Sequence, residues 1–272
     1  AASDVYKRQG EASAEELARY LTRCETGYAA LAASDGDSGR LAELYLDLFK
    51  RLSEDYFTRI GVSYGGYVET PYFPLSAALR DAVTVGYRYV DLLLSTEPGR
   101  WYEAILGYSS RVEGLLKDRL AELGLELRHD LSISPWMEES AVELLERLGA
   151  VFPDVGTLSA VYRANDVLRR AAESTRSTGF NELMLPVAED DRLRDLARSG
   201  ALRVRDLIGL STACVAGLDM VAVPRDRDFV RRVFEDTFTA YLIKRRPYGV
   251  RVIPTDRDVV VLKRFGELPT LR

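Results

Sequence analysis

Apolar residues recur every three to four positions over residues 40–56, where Leu41, Leu44, Leu48 and Leu52 share one face, and this predicts an amphipathic helix. The same spacing predicts a helix over 12–33, with Leu17, Leu21, Cys24 and Tyr28 on its inner face. Further helices are expected at 75–85, 99–123, 137–148, 157–173, 188–199, 206–214 and 228–244. Between them lie short apolar runs bounded by Gly or Pro, which read as strands at 58–64, 87–94, 125–133, 180–187 and 218–223. Two last strands, 248–254 and 259–263, flank the turn T-D-R-D and suggest a hairpin. Strand and helix thus alternate from residue 58 to 254. That is the pattern of a mostly parallel α/β sheet, open or closed, in one domain over residues 11–272.

The most apolar part of the chain holds one thiol and one carboxylate. A helix ending near Cys214 leads through an expected turn at Gly217 into the strand 218–223, which is apolar on both faces except at Asp219. A carboxylate in a strand buried on both faces must be paired or shifted in pKa. Cys214 and Asp219 are therefore the candidate catalytic residues. A second candidate region is the loop Y-V-E-T-P-Y-F-P at 67–74, which follows a strand's carboxyl end, where α/β proteins place ligands. It nominates Glu69 and Tyr72. His129 and Asp130 are neighbours on one strand and so point to opposite faces, which does not make them a pair. Glu138 and Glu139 fall at the start of a helix, where the helix dipole suffices to account for them.

Composition narrows the function classes. The chain has 272 residues with net charge −5, a balance that repels nucleic acid and acidic membranes. A single histidine and two distant cysteines argue against a zinc site and against a disulfide framework, and point to a reducing cytoplasm. No apolar run approaches the roughly 18 residues that cross a bilayer. No glycine-rich nucleotide motif and no G-x-S-x-G follows a strand, so no cofactor is named by the sequence. Residues 1–10 lack an initiator Met and resemble a read-through peptide from sequencing adapters found in translated environmental assemblies. They are set aside as an artefact or disordered, and the protein is expected to begin upstream.

Three segments carry a resemblance: G-F-N-E-L-M-L-P-V-A-E-D at 179–190, S-T-A-C-V-A-G-L-D-M-V-A-V-P-R-D at 211–226, and G-V-R-V-I-P-T at 249–255. Looser matches are Y-V-E-T-P-Y-F-P-L at 67–75, Y-V-D-L-L-L-S at 89–95 and L-S-I-S-P at 131–135. In order and spacing these resemble the domain of unknown function 711, also called uncharacterised protein family 0210, over residues 58–265. The resemblance implies a pyruvate formate-lyase-like α/β barrel with a loop inserted at its centre, here partial because the family's long N-terminal portion is absent. No R-V-x-G motif stands near the C-terminus, so glycyl radical chemistry is not expected. The positions of Cys214, Gly217 and Asp219 carry over, without a role.

Two functions of different class follow. One is an enzyme acting on a small carboxylate- or carbonyl-bearing metabolite, with Cys214 as nucleophile or positioning thiol and Asp219 as base or orienting group. Arg251 would clamp the substrate carboxylate, and Glu69, Tyr72, Asn181 and Glu182 would line the mouth with Gly217 beside them. The other is a non-catalytic metabolite-binding or regulatory protein that uses the same pocket. The expected partner is a small molecule, with no nucleic acid or membrane, and the chain can pair with copies of itself.

Overall fold

The computed structural model describes residues 13–34, 36–214 and 216–272, and the opening decapeptide lies outside them. The first helix, α1 (Ala14–Arg23), starts at a capping box between Ser13 and Glu16. It does not continue to residue 33. The alanine-rich run becomes strand β1 (Ala29–Ala33), because a parallel ladder to β2 (Ile60–Tyr64) overrides the helical preference of alanine. Arg59 enforces the break. Its guanidinium takes the carbonyls of Leu21, Cys24, Glu25 and Gly27 at 2.9–3.0 Å, satisfying the orphaned end of α1. Between β1 and β2 come α2 (Ser38–Phe49) and the short α3 (Glu54–Phe57) in place of one helix over 40–56.

Two expectations are exchanged in the next stretch. Residues 75–85 were expected to be helical, but they form a loop and then β3 (Ala82–Gly86), whose β-branched V-T-V suits a pleated strand. The expected strand at 87–94 is instead the helix α4 (Val90–Leu94), which buries Val90 and Leu93 and leads into α5 (Trp101–Glu122). Strand β4 (Glu126–Asp130) then precedes α6 (Ala141–Arg147) and α7 (Thr157–Glu173). After β5 (Met184–Pro186) come α8 (Asp191–Arg198) and α9 (Val204–Ser211). The expected strand 218–223 is two pieces, β6 (Ala216–Asp219) and β7 (Val221–Pro224), and Gly217 lies inside β6 rather than in a turn. The break falls at Met220, whose φ of 53° is left-handed. Helix α10 (Arg227–Lys244) precedes β8 (Tyr248–Val250) and β9 (Val252–Thr255). The hairpin is formed by β10 (Val259–Leu262) with β11 (Gly266–Pro269), not with 248–254, because β8 and β9 are already committed to other partners.

The short ladders join into one ribbon. β3 pairs with β4, β5 with β6 and β7 with β9, all parallel, while β8 runs antiparallel to β2. Beyond β4, Ile133 bridges Leu183 in parallel. Arg251, between β8 and β9, donates its N–H to Leu218 and accepts from Val221, which stitches the 216–224 run to the 248–255 run. The neighbour order is therefore β1, β2, β8/β9, β6/β7, β5, β4, β3, with the last five positions parallel and β1 and β2 opposed to them. This mixed α/β ribbon does not close into a barrel among the described residues. On it pack α2, α9 and α10, whose aromatic contacts include Tyr45 edge-on to Phe234 at 5.1 Å.

One buried carboxylate holds the loops at this ribbon. Asp130 accepts from Thr70 Oγ1 at 2.6 Å and Phe180 N at 3.1 Å on one oxygen. Its other oxygen accepts from Ser132 N and Asn181 N at 3.1 Å and Ser132 Oγ at 2.6 Å. Gly179 sits against it with φ +76°, where an added methyl would overlap the carboxylate. Gly179→Ala should therefore destabilise the protein by at least about 3 kcal/mol, because it adds left-handed strain to a clash with backbone-anchored oxygen. The urea midpoint reads this, and an unchanged midpoint would contradict the account.

Candidate functional site

A cavity of about 590 Å³ opens on one face of the ribbon, at the carboxyl ends of the parallel strands. Alternation puts its lining there. Gly249 and Arg251 are two residues apart, as are Met184 and Pro186, so each pair faces the same side. Aromatic rings of Tyr28, Tyr56, Tyr72, Phe73, Trp136 and Phe265 form much of the wall. The cavity falls within the usual size range of a small-molecule site.

Its polar floor is a carboxylate–guanidinium–carboxylate triad. Arg251 Nε donates to Asp219 Oδ1 at 2.5 Å and Nη2 to Asp219 Oδ2 at 2.7 Å, a two-pronged grip. Nη2 also reaches Glu189 Oε1 at 3.1 Å, and Nη1 reaches the Thr58 carbonyl at 3.4 Å. These side chains are only 8–14% exposed. Burial disfavours the charge on Arg251, but the two carboxylates outweigh it and raise the guanidinium pKa. Glu189 moves the other way from an ordinary paired acid. Burial raises its pKa, the Arg251 charge opposes this, and the Asp219 charge adds to it. Glu189 Oε2 has no hydrogen-bond partner among the described residues. The triad can thus present a carboxyl group ready to gain or lose a proton beside a fixed positive charge.

The expected site residues divide between two places. Asp219, Arg251 and Tyr72 line the cavity. Tyr72 donates to the Ser132 carbonyl at 3.4 Å, and burial first, then the Asp130 charge, raises its phenol pKa far above the ordinary value. Glu69 does not line it. It takes Arg80 at 3.2 Å and Thr178 Oγ1 at 3.0 Å. Asn181 is left-handed at φ 52° and spends its amide on Leu131 N at 2.9 Å and the Thr178 carbonyl at 3.0 Å. Glu182 pairs with buried Lys244 and with Arg246 at 2.8 Å. Lys244 also donates to the Cys214 carbonyl at 2.7 Å. Cys214 is fully buried beside the start of β6, whereas Asp219 is the last residue of that strand, so the structure places the two at opposite ends.

Sequence reasoning missed Glu189, which it assigned to a helix's first turn, and the rim residues Trp136, Lys263 and Arg264. The available signal was position: L-P-V-A-E runs off the carboxyl end of β5, where α/β sheets bind ligands. Among the described residues no group of three or more His, Cys, Asp or Glu is placed to hold a metal ion. No described helix is long and apolar enough to cross a membrane.

The family match falls on this same region. The family model described as Uncharacterised ACR (DUF711) matches residues 118–260, which include Glu189, Asp219 and Arg251. A UPF0210 protein of Methanopyrus kandleri is 32% identical over 154 residues, covering 53% of this chain and 34% of that protein. Another, from Lachnoclostridium phytofermentans, is 29% identical over 146 residues, 51% of this chain and 31% of its own length. The chain spans about a third of the length of these curated relatives.

Removing the guanidinium tests the triad. Arg251→Ala leaves two buried carboxylates without a counter-charge and should cost about 3–5 kcal/mol at neutral pH. Glu189, whose pKa burial already raises, then loses the Arg251 charge that opposed the rise. A raised carboxyl penalises the native state as pH rises through its folded pKa, so the deficit should shrink on acidification toward about pH 4. Denaturant midpoints from pH 4 to 8 read it, and a deficit that is constant across this range would exclude the triad as its source.

Proposed function

The chain belongs to the uncharacterised DUF711 family, and we propose that its cavity is the substrate pocket of an enzyme that moves a proton on a small carbonyl- or carboxylate-bearing metabolite. The observation that carries this is Glu189: a carboxyl with a raised pKa and one oxygen without a partner among the described residues, facing a cavity with an aromatic wall. Glu189 takes a proton from the carbon next to the substrate carbonyl. The C–H bond breaks, its electrons pass toward the carbonyl oxygen, and the charge that develops there is met by the fixed positive charge of Arg251, whose Nη1 bonds neither acid. Asp219 is a positioning residue that fixes Arg251 through two hydrogen bonds. The reading uses no radical step and gives no step to buried Cys214. Two cysteines outside any disulfide support a reducing, cytoplasmic setting.

The five parallel strands with two opposed neighbours support reading the ribbon as part of a pyruvate formate-lyase-like α/β barrel, with the cavity in its interior. A second reading, a non-catalytic binding protein, uses the same pocket. It is favoured by Asp219 and Arg251 being already satisfied by each other.

Hydrogen exchange in D₂O separates the two. Pyruvate and 2-oxoglutarate, incubated with the chain and followed by proton NMR, should lose the signal of protons next to the carbonyl. The rate should rise with pH as Glu189 ionises and fall by roughly a hundredfold or more in Glu189→Gln. Binding without exchange would assign the pocket to the non-catalytic reading. If neither compound binds or exchanges, the pocket reading fails for this ligand class.

A further inference from the structure

The charges around the cavity are separated by depth, and the geometry points to a small zwitterion, an α-amino acid or a close relative carrying both ammonium and carboxylate, as the ligand of this pocket. The inference rests on the reading of the cavity as a small-metabolite pocket and names what fills it. At the floor, Asp219 and Glu189 contribute two negative charges against the single positive charge of Arg251. With Glu189 ionised the floor is short of one cation. Arg251 cannot also grip an incoming carboxylate with its fork, because Nε and Nη2 already bond the two acids. An ammonium group donating to Glu189 Oε2 completes both the charge and the hydrogen bonding there.

Away from the floor the lining carries Arg59, Lys263 and Arg264 against Glu25 and Asp55, a net positive balance in which Lys263 pairs with Asp55 and Arg59 is spent on backbone carbonyls. The turn between β10 and β11 brings Arg264 to the cavity edge, with its guanidinium 5.0 Å from the Trp136 ring centroid and 5.5 Å from that of Phe265. Arg264 makes no ion pair among the described residues, and an aromatic shelf holds its planar head without using its donors. The turn itself is fixed, since Lys263 N donates to Asp55 Oδ1 at 2.9 Å. Arg264 is also near enough to Glu189 to oppose the rise in its pKa, so the floor acid and the rim cation act on the same space. A ligand with only an ammonium leaves Arg264 unmatched. One with only a carboxylate meets Glu189 as a like charge if it goes deep. A zwitterion satisfies both, and its side chain lies along the aromatic wall.

Titration calorimetry on the full chain tests this with matched probes: L-phenylalanine, phenethylamine and 3-phenylpropanoate. A smaller set, alanine, ethylamine and propanoate, repeats the comparison for a shorter side chain. In at least one set the zwitterion should bind roughly tenfold tighter than either half-ligand. Arg264→Gln should reduce its affinity to that of the amine, and Glu189→Gln to that of the carboxylate. Half-ligands that bind as tightly as the zwitterion, an Arg264→Gln variant without effect, or no amino acid binding in either set would overturn the inference. If pyruvate or 2-oxoglutarate still binds and exchanges protons while no amino acid does, the inference falls and the proton-transfer reading stands. If neither class binds, both fall.

Discussion

The grip of Arg251 on Asp219 is the interaction on which the rest of this site depends. A guanidinium that is 13% exposed must find acceptors for its donors, and it finds them on three separate segments: Asp219 at the end of β6, Glu189 after β5, and the Thr58 carbonyl before β2. The same residue's backbone bonds Leu218 and Val221 and so joins two strand runs. Side chain and main chain therefore solve different problems at one position. The main chain sets the register between the runs 216–224 and 248–255, and that register brings the guanidinium level with the carboxylate. The left-handed break at Met220 belongs to this arrangement, because it separates β6 from β7 directly after Asp219.

The two ends of the parallel strands have been given opposite characters. At the amino ends, Glu182, Lys244 and Arg246 close on one another and on the Cys214 carbonyl, with Lys244 and Glu182 only 3–4% exposed. The inner pair, Lys244 with Glu182, balances within the protein, and the surplus positive charge sits on Arg246, whose side chain is 41% exposed. At the carboxyl ends the charges do not balance internally, and that end opens into the cavity. Asp130 sits between these regimes as a wholly internal carboxylate that ties β4 to the loops at Thr70 and at Phe180–Asn181. Buried acids thus end in three roles, and the donors each meets decide which.

Much of the α/β architecture was legible from apolar spacing, and its exceptions are instructive. The long helices α5, α7 and α10 announce themselves because a 3.6-residue period sustained over many turns has no competing reading. β1 does not, because A-A-L-A-A carries no β-branched residue and only the waiting edge of β2 makes it a strand. The V-D-L-L-L run that became α4 is the reverse case, a short apolar segment whose length cannot separate strand from helix. At the site, Asp219 was visible as a carboxylate in an apolar strand that demanded a partner. Its partner Arg251 was proposed as a substrate clamp, since nothing local in the sequence shows that two residues 32 positions apart will meet. Glu189 was hidden for a different reason: an acid in A-E-D-D is explained well enough by a helix start, and Asp190 does cap α8 there.

That neighbouring pair shows why one acid is structural and the other available. Asp190 receives the N–H groups of Ala141, Arg192 and Leu193 together with Ser140 Oγ, so both its oxygens are spent on holding α6 and α8. Burial nevertheless pushes its pKa up to about 6. Glu189, one residue earlier, points into the cavity and meets only the Arg251 nitrogen that Asp219 already shares. Asp219 cannot take the same role, because both of its oxygens are engaged by the fork. A site with two acids and one guanidinium has an odd charge to dispose of, and the geometry leaves it on the acid with the free oxygen. A ligand that reaches the cavity floor finds its hydrogen-bond acceptor in that oxygen.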